Sequence, residues 1–243
     1  MASFFFTILY QPLYNLLVFI YDIAPWGGLG LSIIAMTILV KGAVLPLTYK
    51  SMKAQKELQD IQPKIAEIKE KYKDDKETMA KELMSVYKVH NVNPFASCLP
   101  TIVQLFVFIA LYRALAAGIH TIDPTILYGF VSNPGTMSPI FLGIDLGKVS
   151  IPLAVLSAVC QYFQAKQMIT RRPPAAVRGS SPALDEDMTA TMNKMMVYLL
   201  PVMMLVLGVT TLVGGVTLYI FVSTAFTYAM YALFLSPKKS SLE

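Results

Sequence analysis

Residues 27–49 read GGLGLSIIAMTILVKGAVLPLTY. An α-helix rises about 1.5 Å per residue, so about 20 apolar residues cross a hydrocarbon core about 30 Å thick. The stretch has the length and composition of a spanning helix, with Lys41 as its only charged residue. An ammonium group at that depth is costly, so its position asks for a physical reason. Lys41 lies nine residues before Lys50, about 13 Å along a straight helix. Two accounts fit the residue itself. In one, its stem snorkels to a nearby aqueous interface, helped by Pro46, which can end the continuous span. In the other, it faces a water-containing cavity between helices.

The rest of the chain points to the same solvent. Of 243 residues, 55% are hydrophobic and 14% charged, and the mean hydropathy is +0.56. So much apolar side chain cannot be hidden inside a globule of this size. The net charge of +5 is accounted for by basic residues grouped on one side of a membrane, so no direct nucleic-acid contact is expected. Cys98 and Cys160 show no CxxC spacing, and His90 and His120 have no neighbours at metal-ligand spacing. A disulfide framework, a metal and a cofactor are therefore not expected.

Five apolar runs have spanning character, about 29–49, 95–117, 149–169, 192–210 and 215–235. LVGGV at 212–216 joins the last two as a tight turn, which suggests a membrane hairpin. The basic residues order the runs. Segment 50–90 carries ten lysines. Segment 166–194 carries Lys166, Arg171, Arg172, Arg178 and Lys194, and the tail carries Lys238 and Lys239, whereas segment 118–148 has only Lys148. Five spans place the three basic segments together on the cytoplasmic side, with the N-terminus outside and the short tail, 236–243, in the cytoplasm. The predicted fold is an all-α integral membrane protein with a five-span core over 29–235.

Two flanking elements complete it. Ser3, Thr7, Gln11 and Asn15 recur every four residues, while Phe4, Phe5, Ile8, Leu9, Leu13, Leu16 and Phe19 cover the remaining faces. Residues 1–24 therefore predict an amphipathic helix lying in the extracytoplasmic interface, with a sixth span as the alternative. Within 51–92, Leu58, Ile61, Ile65, Ile68 and Tyr72 form an apolar seam at alternating three- and four-residue spacing. KDDKE at 73–77 interrupts it, and Asp74 with Glu77 fits a capping box for a second helix bearing Met79, Leu83 and Tyr87. This is a cytoplasmic helical hairpin whose seams must rest on each other, on lipid or on a partner. Segment 171–188, RRPPAAVRGSSPALDEDM, predicts a flexible cytoplasmic loop.

Nothing in the chain resembles a nucleophile–base pair, a phosphate loop or a metal cluster, so an enzyme is not predicted. The informative groups are polar residues inside the apolar runs. Thr37 lies one turn before Lys41. Gln104 sits one turn past Pro100 in the second run. Tyr219, Ser223 and Thr227 recur at four-residue spacing in the fifth. These side chains can line one polar surface with Lys41, and no acidic residue lies inside any span to pair with it. Water, or a transient anionic group of a partner, is the expected companion. Arg113 reads as an interface anchor. Met192, Met195 and Met196 belong to a methionine-rich fourth run that offers a pliable surface to apolar partners.

The run KYKDDKETMAKELMSVYKVHNVNPFASCLPTIVQLFVFIALYRAL (71–115) closely resembles the YidC/Oxa/Alb family of membrane protein insertases. Its most specific part is the pattern of Asn93, Pro94, Cys98, Leu99, Pro100, Gln104 and Val107 to Tyr112. LQDIQPKIAEI (58–68), ILVKGAVLPLT (38–48) and GGVTLYIFVS (214–223) resemble the family's first cytoplasmic helix, first span and start of the last span.

The resemblance implies a protein that assists newly made proteins into the bilayer without nucleotide hydrolysis, alone or beside the Sec translocon. It implies a hydrophilic groove open to cytoplasm and lipid, with a basic residue of the first span, here Lys41, inside it. Most bacterial members carry arginine there, and lysine is familiar in some relatives, including thylakoid ones. The implied partners are nascent membrane proteins and the lipid bilayer, with the ribosome, the signal recognition particle receptor and the Sec translocon as further ones. The hairpin residues Leu58, Ile61, Ile65, Met79 and Leu83 become a client-receiving surface, and Met192, Met195 and Met196 an apolar slide. The implied location is a bacterial inner membrane, or alternatively the thylakoid, in a member lacking the large extracytoplasmic domain. A small-solute transporter or channel subunit is the alternative from another class.

Overall fold

The computed structural model describes residues 6–24, 27–90, 99–118, 122–169 and 195–234. The expected loop 171–188, the tail 236–243, Ser3, Met192 and the motif residues Asn93, Pro94 and Cys98 lie outside them.

A π-helical turn, Phe6–Tyr10, leads into α1 (Gln11–Ile23). There follow α2 (Gly28–Ala43), α3 (Leu45–Asp60), α4 (Gln62–Lys71), α5 (Lys76–Val89) and α6 (Leu99–Gly118). A two-stranded antiparallel hairpin, β1 (Ile140–Phe141) and β2 (Ile144–Asp145), precedes α7 (Ile151–Ile169). A second π-helical turn, Met195–Leu199, opens α8 (Leu200–Thr210), and α9 (Gly214–Phe234) ends the described chain.

The expected apolar runs fall in helices, but the first is not straight, and its second half, α3, runs on to Asp60, past the expected end at 49 and into the expected hairpin segment. Phe6–Ile23 and Gly214–Phe234 are each long and apolar enough to cross a membrane, and Gly28–Ala43 with Leu45–Leu58 meets the same test as a pair bent by 61°. Ile102–Leu115 and Val197–Thr210 are shorter apolar helices. By length and composition the described helices thus provide two spans, or three with the bent pair. The bend has a local cause. Pro46 has no N–H to give the carbonyl of Gly42, and its ring crowds the preceding turn. Beyond the break Thr48 caps the exposed turn, with its hydroxyl donating to the Val44 carbonyl at 3.1 Å.

α9 lies between α2 and α7, and α1 covers the other side of α2. The expected hairpin of the last two apolar runs is only partly realised. A tight turn joins them, but α8 and α9 each pack chiefly on α7. Small residues permit this: a Cβ at Gly208 would sit 2.8 Å from that of Ala154, so only glycine lets α8 approach α7 so closely. Leu29, Ile33, Met36, Leu111, Leu115, Leu146 and Val216 form the driest part of the core.

Between α4 and α5 the two apolar seams rest on each other. Ile61 and Ile65 are buried against Leu58, Leu83, Val86 and Tyr87. The cap of α5 is Asp75 rather than the expected Asp74. Its carboxylate accepts from the N–H groups of Glu77 and Thr78 at 3.2 and 3.1 Å. Asp75 holds the non-helical backbone of an N-cap, so Glu77 falls at the second helical position and the capping-box pairing does not form.

Two members of the polar stripe of the N-terminal helix, Gln11 and Asn15, are bonded within the protein, whereas Thr7 is exposed. Asn15 is 3% exposed. Its amide donates to the carbonyls of Gln11 and Ile126 at 2.8 and 2.9 Å, and its Oδ1 accepts from the N–H of Tyr128 at 2.6 Å. Gln11 also donates to the Ile126 carbonyl. The hydroxyls of Tyr14 and Tyr21 accept from the N–H groups of Asp123 and Ser138. One helix face thereby satisfies the backbone of a segment with almost no ladder of its own.

Candidate functional site

Tyr219, Ser223 and Thr227 stand on successive turns of α9, facing Gln104 on α6 and Lys41 in the last turn of α2. Their hydrogen bonds form one line. Lys41 Nζ donates to Thr227 Oγ1 at 3.3 Å, and Thr227 donates to the Ser223 carbonyl at 2.9 Å. Ser223 Oγ donates to Gln104 Oε1 at 3.3 Å, and Gln104 Nε2 donates to the Tyr219 hydroxyl. Tyr219 is 2% exposed, so each member covers the desolvation of the next.

Lys41 has three N–H donors. Among the described residues it makes no ion pair, and Thr227 is its hydrogen-bond partner. The negative end of the α2 dipole lies beside it, which favours a cation at that position. Thr37 does not join the line: its hydroxyl is buried and donates to the Ile33 carbonyl at 2.6 Å.

The two ends of the line differ. One turn beyond Tyr219, a Cβ at Gly215 would stand 3.2 Å from Ile33 and Leu115, so the packing there is dry and closed. One turn beyond Lys41 and Thr227, towards the α4–α5 hairpin, Leu45, Pro46, Tyr49, Met230 and Phe234 line an apolar recess of about 350 Å³. Tyr49 and Phe234 meet edge-to-face across it, 5.9 Å between ring centres.

The apolar slide and hairpin candidates fall elsewhere. Met195 is exposed at the start of the second π-helical turn, near exposed Tyr198 and Leu199, and Met196 belongs to the same turn. Ile151, Val155, Val159 and Phe163 make an exposed stripe along α7. Leu58, near the end of α3, and Leu83 of α5 pack half-buried against the buried Ile61 and Ile65, and Met79 of α5 is half-buried. Arg113 stacks over the Tyr10 ring at 5.8 Å. The contacts made by Asn15, Tyr14 and Tyr21 went unread in the sequence. Of these only Asn15 belongs to the four-residue polar stripe, and all three meet backbone groups of an aperiodic segment.

A helical core with apolar outer faces, holding on a part-buried polar line a lysine that has no ion-pair partner among the described residues, has the make-up of an integral membrane protein. Residues 19–240 match the family described as 60Kd inner membrane protein, and the chain belongs to that family. It is 38% identical over 171 residues to the membrane protein insertase YidC of Pelobacter propionicus, covering 70% of this chain and 31% of that protein. It is 40% identical over 145 residues to the YidC of Geotalea daltonii, covering 58% and 27%. With the YidC of Fusobacterium nucleatum it shares 35% identity over 180 residues, covering 74% of this chain and 73% of that protein. The chain thus spans less than a third of the length of the first two relatives and most of the third.

Proposed function

We propose that this chain is a membrane protein insertase with five spans, its N-terminal helix at the outer interface and its hairpin in the cytoplasm. The polar tail of a nascent client enters from the hairpin side and follows the line from Lys41 towards Tyr219. Its apolar segment meanwhile moves along the outer helix faces into lipid. The observation that carries this reading is the Lys41–Thr227–Ser223–Gln104–Tyr219 line, closed by dry packing at one end and reaching an apolar recess at the other.

The physical gain is a shorter barrier. A charged side chain at the centre of a bilayer costs on the order of 3 kcal/mol on insertion scales. Hydroxyl and amide groups partway into the membrane admit water and replace part of that lost solvation. Lys41 adds a positive charge able to attract an acidic client residue, and lysine, unlike arginine, presents it as a mobile point charge. The seam of the hairpin is taken up by its own helices, so its outer face, where Met84 and Val89 are exposed, is the receiving surface. Clients arrive from the ribosome, alone or beside the Sec translocon.

Reconstituted protein tests this directly. Insertion of a client with a short acidic tail falls with Lys41→Ala and is largely kept by Lys41→Arg. Unchanged insertion by Lys41→Ala removes the role given to that residue. A small-solute flux that tracks Lys41, in vesicles that insert no client, supports the transporter alternative.

A further inference from the structure

The β1–β2 hairpin breaks two rules at one residue. Its two-residue turn is Leu142–Gly143, with φ of +49° and +79°. That is the left-handed turn normally built from Asn, Asp or Gly, because a Cβ is disfavoured there. Leucine is not only in this strained conformation but also 86% exposed. Strain and an exposed apolar side chain at the same position call for something that rewards both.

Alternation along β1 sets the faces. Phe141 turns inward and packs on α2 where Gly30 leaves room; a Cβ at Gly30 would lie 2.0 Å from the ring. Ile140, on the opposite face, is 52% exposed and adjoins Leu142. The surrounding sequence is uncharged. Residues 124–144, PTILYGFVSNPGTMSPIFLGI, contain no Asp, Glu, Lys, Arg or His, although a water-facing segment of that length ordinarily carries several charges. Phe130 in the same segment is 77% exposed. The first charge is Asp145, at the end of β2 and opposite Ile140, and it is paired with Lys148 at 3.1 Å.

We infer that Leu142 and Ile140 form an apolar tip that inserts into the lipid leaflet beside the start of α2, anchoring the segment latched by α1. A bilayer surface fits better than a protein partner. The tip is small, lacks charge and directional polar groups, and belongs to a chain already embedded through its helices. The inference is independent of any role for Lys41.

The test uses the full chain in lipid nanodiscs with Trp26, its only tryptophan, replaced by Phe. Leu142→Trp should be quenched by lipids brominated high on their acyl chains and shielded from aqueous acrylamide. Strong acrylamide quenching without bromolipid quenching overturns the inference, as does protection from both reagents. A second measurement places the reporter at Ile140→Trp and adds Leu142→Asn, which tolerates the left-handed turn. Bromolipid quenching should fall about two-fold or more as the apolar anchor is lost, while the melting temperature in detergent stays level or rises. Unchanged quenching in that variant also overturns the inference.

Discussion

Lys41 Nζ and Thr227 Oγ1 lie 3.3 Å apart although 186 residues separate them in sequence. Their contact ties the last turn of α2, just before its break, to the middle of α9. It also begins the polar line that Ser223, Gln104 and Tyr219 complete.

Gln104 is the hinge of that line, because its amide both accepts from Ser223 and donates to Tyr219. Gln104→Leu leaves two buried hydroxyls without this partner and should destabilise the protein by about 1–3 kcal/mol. Adding Tyr219→Phe should restore part of the loss. A double-mutant cycle on thermal unfolding in detergent measures the coupling, and strict additivity contradicts the line.

Asn15 latches the segment around Ile126 and Tyr128 onto α1. Asn15→Leu removes its bonds to Ile126 and Tyr128 and should cost about 1–3 kcal/mol. Amide exchange at Tyr128 should accelerate strongly, with the α4–α5 hairpin unaffected. Asn15→Asp keeps the acceptor for the Tyr128 N–H and should exchange at an intermediate rate.

Asp75 gives the hairpin an acid-sensitive cap. Its side-chain and backbone hydrogen bonds with Thr78 hold its carboxyl below the ordinary carboxylate range. A carboxyl lowered by folding contributes its stabilisation above its unfolded pKa, near 4, and loses it as pH falls through the lower folded value. Amide protection at the start of α5 should therefore decline below about pH 4. Asp75→Asn should retain a cap but lose this pH dependence.

Ile65 tests how the hairpin is held. It is buried against the facing helix, so Ile65→Ala should destabilise the pair by about 2 kcal/mol or more, read as increased protease sensitivity between 60 and 90. Met84, exposed on α5, should tolerate alanine with no such change.

Much of this architecture was legible in advance because a bilayer imposes long apolar runs. The start of α7 falls two residues from its expected position. The i, i+4 spacing of Tyr219, Ser223 and Thr227 placed them on one face. Which helices that face meets was not written in any local pattern, since Lys41 and Gln104 are brought to it by packing. Asp74 and Asp75 are adjacent and chemically equal, so backbone geometry alone chose the cap. The break at Val44 required knowing whether neighbours would hold the helix straight past Pro46. The latch of Asn15 was hidden because backbone acceptors leave no signature in side-chain spacing.

The most direct measurement is crosslinking from a photoreactive residue at Ser223 to a client halted partway through insertion. Adducts with the client's polar tail are expected, weakened by Lys41→Ala and retained by Lys41→Arg. Client adducts at exposed Met203 with none at Ser223 would contradict the proposed route, because the client would then have passed through lipid alone.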